Sequence, residues 1–134
     1  FMQNHTGEHI VSGILHKLYG LSNVGFHLGE EFATLDFDGE LTREQLDEVE
    51  QLANQKIWLN LPVTCYYPDC EELKTLDYRS KKELEGDIRI VEIKDTDMCA
   101  CCAPHVKFTG EIGIIKAVSM MNYKQGVRIT LQIS

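Results

Sequence analysis

The sequence has few basic residues, no long apolar run and no visible secretory signal. Lys and Arg number 13 against 21 Asp and Glu among 134 residues, for a formal net charge of −8. Extensive phosphate contact needs an excess of basic residues, so this acidity argues against a large nucleic-acid interface, though not against a local basic patch that grips one nucleotide. No apolar run approaches the roughly 20 residues that span a bilayer. We therefore expect a cytoplasmic protein that is not embedded in a membrane.

Cysteine is scarce and unevenly placed. Five cysteines, an odd number, stand at positions 65, 70, 99, 101 and 102, and three of them cluster just before a histidine. In a chain without a secretory signal, this clustering indicates metal or thiol chemistry before disulfides. Cys65 and Cys70 flank a Tyr-Tyr-Pro-Asp turn that resembles no zinc pair, so we expect them to be ordinary thiols.

The length fits one domain covering 1–134. The chain opens on Phe1, and the first candidate ligand, His5, follows four residues later. Because a natural chain rarely opens so abruptly on a functional site, we expect this to be a domain of a longer protein.

Hydrophobic periodicity predicts an α+β fold in which a central buried helix packs against a mostly antiparallel sheet. Apolar residues cover a wide arc of the helix predicted at 4–19, which Gly20 ends. A second helix at 42–58 starts with a capping box of Thr42 and Gln45. Strands are predicted at 22–28, 31–37, 63–67, 88–93, 112–122 and 127–133, with short helical pieces in 69–85 and a loop over 95–110.

Two histidines open the first helix. At a spacing of four residues, His5 and His9 project from one helix face, one turn above the other, so both imidazoles can reach a single ion. Such a pair also occurs by chance among surface histidines. The pair therefore needs further ligands elsewhere in the chain before it indicates a metal site.

The Cys-rich loop supplies such ligands. Cys101 and His105 add a thiolate and a third imidazole, and a set of three nitrogens and one sulfur suits tetrahedral zinc. Spacing alone leaves Cys102 and Cys99 open as the thiolate.

The first histidine pair also contains a rival motif. Residues 5–9 read H-T-G-E-H, which matches the inverted zinc-peptidase signature H-x-x-E-H, whose glutamate is a general base. A peptidase of this type needs a third ligand, usually a distant glutamate. It also leaves Cys101 and His105 without a role, so it is the minor alternative.

A resemblance to a known family runs along the whole chain. It is carried by HTGEHIVSGIL (5–15), VGFHLGEEFATLDFDG (24–39), VEQLANQKI (49–57), LDYRSKKELEGDIRIVEI (76–93) and CACCAPHVKFTGEIGIIK (99–116). In order and spacing these stretches resemble the editing domain of alanyl-tRNA synthetase and its free-standing relatives, the AlaX proteins. The threonyl-tRNA synthetase editing domain looks like a more distant cousin. The last stretch is the most specific, because C-x-x-x-H followed by T-G-E-I-G is hard to obtain by chance.

The resemblance implies the editing-domain fold shared by these synthetases and four zinc ligands, His5, His9, Cys101 and His105. It also implies hydrolysis of the ester in seryl-tRNA(Ala), with glycyl-tRNA(Ala) as a second substrate, and the acceptor end of the mischarged tRNA as the partner. Family members of middle length carry an N-terminal barrel domain, which we expect to precede these 134 residues in the longer protein.

The chain departs from the family pattern just before the last ligand. Where the family commonly has Gly-Gly-Thr or Gly-Thr, this chain has Ala103 and Pro104. Proline stiffens the turn and removes a backbone donor, which places any amide contact with the substrate at this point in doubt.

Two residues are candidates for catalysis. Glu8 stands next to a ligand and is a candidate general base, although an acid in a first helical turn is also explained by the helix dipole. His27 stands among glycines on a predicted strand and is expected to line the aminoacyl pocket, with Phe26 as its competitor for that position.

Two further segments are the expected contacts of the tRNA end. Arg79, Lys81 and Lys82 form the densest basic cluster, which either clamps phosphates or is a solvated charged loop. Thr109 and Gly110 are predicted to turn beside the metal, where a glycine lets a terminal adenosine come close.

Two functions fit these patterns. Four protein ligands are typical of a closed structural zinc, whereas catalysis needs an open or fifth position. The favoured interpretation is a zinc-dependent aminoacyl-tRNA deacylase acting in trans, and the alternative is a zinc-stabilised tRNA-binding module without catalysis. Serine differs from alanine by one hydroxyl, so selectivity requires a polar group that hydrogen-bonds this hydroxyl.

Overall fold

The computed structural model describes residues 1–80 and 87–134, so Lys81 and Lys82 lie outside the described residues. The described elements are the helices α1 Met2–Tyr19, α2 Arg43–Trp58 and α3 Cys70–Leu73, the strands β1 Asn23–Leu28, β2 Ala33–Phe37, β3 Val63–Tyr66, β4 Ile90–Ile93, β5 Asp97–Ala100, β6 Ile115–Tyr123 and β7 Gly126–Ile133, and a 3₁₀ turn Thr109–Ile112. The predicted α+β class is confirmed.

Helix α1 is the centre of the fold. Apolar and small residues cover almost its whole circumference, and every residue from His5 to Leu15 is buried. The helix contacts α2 and strands of both sheets. It begins at Met2, slightly earlier than predicted, and ends as predicted at Gly20, whose φ of 67° is the left-handed conformation that glycine adopts without steric cost.

Helix α2 covers one side of α1 and one end of the larger sheet. Both bonds of the capping box predicted at Thr42 and Gln45 are present. Its apolar stripe is buried and consists of Leu46, Val49, Ala53 and Ile57. Asn54 ties the helix to β6, since its amide donates to the Ile115 carbonyl (2.8 Å) and accepts from the Ile115 N–H (2.9 Å). No helix in the described ranges is both long and apolar enough to cross a membrane.

The strands form two sheets rather than one. The larger has the order β1-β2-β7-β6 and the smaller the order β3-β4-β5. Every pairing in both sheets is antiparallel, as predicted. Because α1 contacts β1, β2 and β7 of the larger sheet and β5 of the smaller, its side chains meet residues from both.

The loop predicted over 95–110 is wrong at its beginning, because Asp97–Ala100 forms β5. This strand pairs with β4 and places Asp97 opposite Ile93. The buried positions of β5 are Asp97 and Cys99, which are not the β-branched or aromatic residues that identify a strand in a sequence. The carboxylate buried at the start of this strand is paired with Arg79.

Candidate metal centre

Two separate segments bring four candidate ligands to one point. Helix α1 presents His5 and His9, both 3% exposed, with ring centroids 4.8 Å apart. The segment after β5 presents Cys101 and His105 against them. One potential ligand atom from each of these four residues lies within 4.8 Å of the others. The two pairs predicted from spacing therefore form one His/Cys cluster that is able to bind a metal.

Oxygen atoms hold two of the imidazoles from behind. His5 Nδ1 lies 3.1 Å from the Pro104 carbonyl, and His105 Nδ1 lies 2.9 Å from the Thr6 hydroxyl, which also accepts from the Val106 N–H (3.2 Å). A proton on each Nδ1 leaves Nε2 as the lone-pair nitrogen facing the centre. Proline before the last histidine is compatible with this arrangement, because the contact uses its carbonyl and no N–H.

The cluster contains the unsatisfied polar atoms of the interior. Among the described side chains, two buried nitrogen atoms lack a hydrogen-bond partner, His9 Nδ1 and His105 Nε2. Buried polar atoms almost always have a partner, so an orphan calls for an explanation such as an ion. A metal ion bound by the four residues gives His105 Nε2 its partner, and the donor set of three imidazoles and one thiolate is one that zinc prefers.

The three neighbouring cysteines differ in environment. Burial disfavours the Cys101 thiolate, but hydrogen bonds from the surrounding histidines outweigh it and lower the pKa of Cys101 to about 3. Burial raises the pKa of Cys99 to about 12, and Cys99 groups with His9 and Asp97 rather than with His5 and His105. Cys102 is exposed and belongs to none of the potential ligand groups among the described residues. The geometry therefore favours Cys101 as the thiolate over both alternatives.

The charge of the Cys101 thiolate is balanced within the cluster. Burial disfavours protonation of His9, but contacts with Asp97, Cys101 and Glu8 outweigh it and raise the pKa of His9 to about 9. Without a metal, a proton on this imidazole is thus stabilised by the nearby negative charges. Because metal ligands must be deprotonated, a divalent cation at the centre would replace that proton.

A cavity of about 360 Å³ opens onto the cluster. It is lined by His5, Glu8, His9, Phe26, Arg79, Ser80, Asp87, Ile88, Arg89, Cys99, Ala100, Cys101 and Cys102. Cavities of this volume accommodate small ligands or one end of a larger one. Three of the four candidate ligands, His5, His9 and Cys101, thus line the same cavity as a buried carboxylate.

Glu8 supplies that carboxylate. It is 2% exposed and lies beyond the first turn of α1, so favourable placement at the helix N-terminus does not explain it. Ser12 donates to Glu8 Oε2 (3.1 Å), and the Asn23 amide donates in turn to the Ser12 hydroxyl (3.0 Å). This buried chain of hydrogen bonds orients an acidic group in the cavity, as a general base requires.

Arg79 lies in the site with its guanidinium already bound. Its Nε and Nη2 donate to the two carboxylate oxygens of Asp97 at 2.7 and 2.8 Å. Burial disfavours the Asp97 carboxylate, but these bonds outweigh it and hold the pKa of Asp97 below its usual value. The arginine therefore serves a buried ion pair, which differs from the surface phosphate clamp expected from the sequence.

Phe26 and His27 point to opposite faces of β1. Phe26 stands opposite Leu35, lines the cavity and stacks on His5 with ring centroids 6.3 Å apart. His27 stands opposite Thr34 and is exposed. Because neighbouring residues of a strand alternate between faces, only one of the two candidates lies with the cluster, and it is Phe26.

Thr109 and Gly110 lie against the end of α2. Thr109 is fully buried, and its hydroxyl donates to the Lys56 carbonyl (2.7 Å) and accepts from the Leu61 N–H (2.8 Å). The Gly110 N–H donates to the Asn60 side chain (3.0 Å). A Cβ at position 110 would collide with that side chain. Neither residue belongs to the described lining of the cavity.

Replacing Thr109 by valine is expected to lower the free energy of unfolding by about 1–3 kcal/mol, because the part-buried Lys56 carbonyl and Leu61 N–H lose their partner. Metal affinity and substrate affinity should not change. Chemical denaturation checks the first result and a zinc titration the second, with Thr64→Val on the exposed strand β3 as the control. A weaker substrate affinity at unchanged stability would assign Thr109 to substrate binding instead.

Arg89 is a site residue that the sequence did not reveal. Its Nη1 donates to the carbonyls of Cys101 (3.3 Å) and Ala103 (2.8 Å), and its own carbonyl accepts from the Cys101 N–H (3.1 Å). These bonds shape the turn that carries the thiolate. An arginine between apolar residues of a strand usually faces solvent, so the sequence pattern did not place Arg89 in the site. Its position shortly before the cysteines was the one indication that the sequence offered.

Comparison with known proteins identifies a family model and several relatives that match this chain. Residues 88–130 match the family described as threonyl and alanyl tRNA synthetase second additional domain. The chain is 37% identical over 119 residues to alanyl-tRNA editing protein AlaX-L of Pyrococcus horikoshii, covering 87% of this chain and 30% of that protein. It is 34% identical over 132 residues to the alanine–tRNA ligase of Petrotoga mobilis, covering 94% of this chain and 15% of that protein. Alanyl-tRNA editing protein Aarsd1-A of Xenopus laevis is 33% identical over 119 residues, 86% of this chain and 29% of that protein.

The fold and the matched segment define a domain of the class found as a second additional domain in threonyl- and alanyl-tRNA synthetases. Within this class the chain belongs with the alanyl-tRNA editing proteins and the matching region of alanine–tRNA ligases, which confirms the resemblance seen in its sequence. The chain spans about 30% of the length of the editing proteins that it matches and about 15% of the length of the ligase.

Proposed function

We propose that this domain hydrolyses the ester of mischarged tRNA(Ala), with seryl-tRNA(Ala) as its main substrate, and that it uses a zinc ion held by His5, His9, Cys101 and His105. The observation that carries the proposal is the His/Cys group itself, three of whose members line one cavity together with Glu8. The names of the related editing proteins support the choice of substrate. The domain would act in the cytoplasm, as part of a longer editing protein.

The residues of the cavity suit ester hydrolysis. Zinc, when bound, supplies a Lewis acid that polarises a carbonyl oxygen or a water molecule. The Glu8 carboxylate takes a proton from water as the water oxygen attacks the ester carbonyl carbon. The bond from that carbon to the ribose oxygen breaks, and the ribose oxygen leaves with a proton, so the products are free serine and uncharged tRNA(Ala).

Other residues of the cavity receive the acceptor end. Phe26 is 43% exposed, and its ring beside His5 offers an apolar face to an aminoacyl group or a base. Arg89 provides positive charge to the cavity wall, since Arg79 is engaged with Asp97. In this proposal Phe26 and Arg89 take the parts expected of His27 and Thr109, which are not among the residues that line the cavity.

The alternative function is a zinc-stabilised module that binds tRNA without catalysis. The four candidate protein ligands favour it, because a closed tetrahedral site is typical of structural zinc. The peptidase alternative has less support, since a cysteine and a histidine, and no distant glutamate, complete the described ligand group.

The test is hydrolysis by the purified 134-residue chain loaded with zinc. Release of labelled serine from seryl-tRNA(Ala) is expected at least roughly 100-fold above the uncatalysed rate, which is within the contribution of a positioned general base. Alanyl-tRNA(Ala) should be hydrolysed far more slowly. Binding of tRNA with no release above background, both by this chain and by the full-length protein, would favour the non-catalytic module.

A further inference from the structure

We propose that Asp97 is the residue that positions the metal ligand His9, held in place for this task by Arg79 and by the absence of a side chain at Gly13. The inference rests on the proposed metal centre and extends it from the ligands to the residues behind them. It assigns a function to a buried ion pair that the hydrolytic mechanism does not itself use.

Asp97 stands at the start of β5, where it faces His9. Its side chain is 3% exposed, and Oδ2 lies 3.4 Å from His9 Nδ1. The contact is within ion-pair distance, although it is not aligned as a hydrogen bond, and His9 Nδ1 has no hydrogen-bond partner among the described residues. A carboxylate at this edge of the ring favours a proton on Nδ1 and leaves Nε2 for the metal.

Arg79 fixes the carboxylate in that position. Its bidentate pair with Asp97 leaves the carboxylate little freedom to rotate away from His9, and the arginine side chain is itself only 12% exposed. A buried ion pair of this kind adds little stability compared with apolar residues, because both charges lose their hydration. Its retention beside a metal ligand is therefore better explained by orientation than by stability.

Gly13 provides the space for Asp97. It stands four residues after His9 and so lies on the same face of α1, one turn further on. A Cβ at position 13 would lie 2.6 Å from Asp97 Cβ and 2.9 Å from its Cγ, well inside contact distance. Any other residue at position 13 would push the carboxylate away from the ring.

A second ion pair in the chain provides a matched control. Arg128 binds Asp36 in the same bidentate way, with bonds of 2.7 and 3.0 Å. This pair joins β7 to β2, and Asp36 lies on neither the cavity lining nor the ligand group of the described residues. Loss of Asp36 therefore reports what an Asp–Arg pair contributes to the fold alone.

The experiment measures zinc affinity by competition with a chromogenic chelator for wild type, Asp97→Asn, Gly13→Ala and Asp36→Asn, each shown to be folded by circular dichroism. Asp97→Asn is expected to weaken zinc binding about 10–100-fold, the usual effect of removing the partner of a ligating histidine. Gly13→Ala should also weaken zinc binding, although alanine favours a helix more than glycine does. Asp36→Asn should bind zinc as the wild type does.

Asp97→Asn leaves the Arg79 guanidinium buried without its partner, so misfolding is a greater risk for this variant than for the others. The double variant Arg79→Gln with Asp97→Asn removes both charges and is expected to fold and still to bind zinc weakly. Zinc affinity of a folded Asp97 variant equal to that of Asp36→Asn would overturn the inference. A wild-type protein that holds no zinc would instead overturn the metal centre, and this inference with it.

Discussion

Replacing Cys101 by serine is expected to abolish zinc binding and hydrolysis together. Serine removes the thiolate, whose charge the surrounding imidazoles stabilise, and puts a weak neutral ligand in its place. Loss of a residue that only supports a metal ligand weakens metal binding about 10–100-fold. Loss of the Cys101 ligand itself should weaken zinc binding by more than this. Metal analysis of the purified variant and chelator competition measure it.

Two other cysteines make this test specific. Cys102→Ser changes the exposed neighbour that spacing alone left open as a ligand, and Cys65→Ser changes an exposed thiol on β3. Both variants are expected to hold zinc as tightly as the wild type. Loss of zinc in Cys102→Ser with retention in Cys101→Ser would show that the ligand register is shifted by one residue.

Replacing Glu8 by glutamine is expected to lower the rate of serine release about 100–10,000-fold, the usual contribution of a general base. The amide has nearly the same shape and still accepts a hydrogen bond from Ser12, so the helix and the ligands should keep their positions. Zinc content should be unchanged. Single-turnover deacylation of seryl-tRNA(Ala) measures the chemical step separately from tRNA binding.

The outcome decides whether Glu8 has a catalytic or a structural role. Glu71→Gln removes an equal charge from the exposed side of α3 and serves as the control for net charge. A Glu8→Gln protein that releases serine at the wild-type rate would remove Glu8 from the mechanism and leave water activation to the metal. A Glu8→Gln protein that loses zinc would show that the carboxylate is structural.

Local sequence patterns predicted much of the fold. The capping box at Thr42, the stop of α1 at Gly20 and the alternation in the long strands depend on interactions between residues near in sequence. These interactions are independent of the rest of the chain, so pattern and structure agree. Strand β5 is the exception, because the burial of Asp97 depends on an arginine and a helix distant in sequence.

The candidate site was likewise predicted in part from the sequence. Spacing indicated that His5 and His9 share a helix face, because residues four apart lie one turn above each other on a helix. It also indicated that Cys101 and His105 form a second pair, because residues four apart in a turn are close enough to meet. Spacing did not indicate which of three cysteines meets the histidines. Packing distinguishes them, since it surrounds Cys101 with imidazoles, buries Cys99 beside His9 and Asp97, and leaves Cys102 exposed.

The sequence by itself therefore determined the class of domain, its helices and most of its strands, and the residue types able to bind a metal. Only the tertiary structure decided which residues surround the metal-binding residues. Arg79 pairs with the buried Asp97, Phe26 rather than His27 lines the cavity, and Thr109 hydrogen-bonds the end of α2. The physical reason is that each of these roles depends on a partner tens of residues away, and which distant groups meet is settled by the packing of the two sheets around α1.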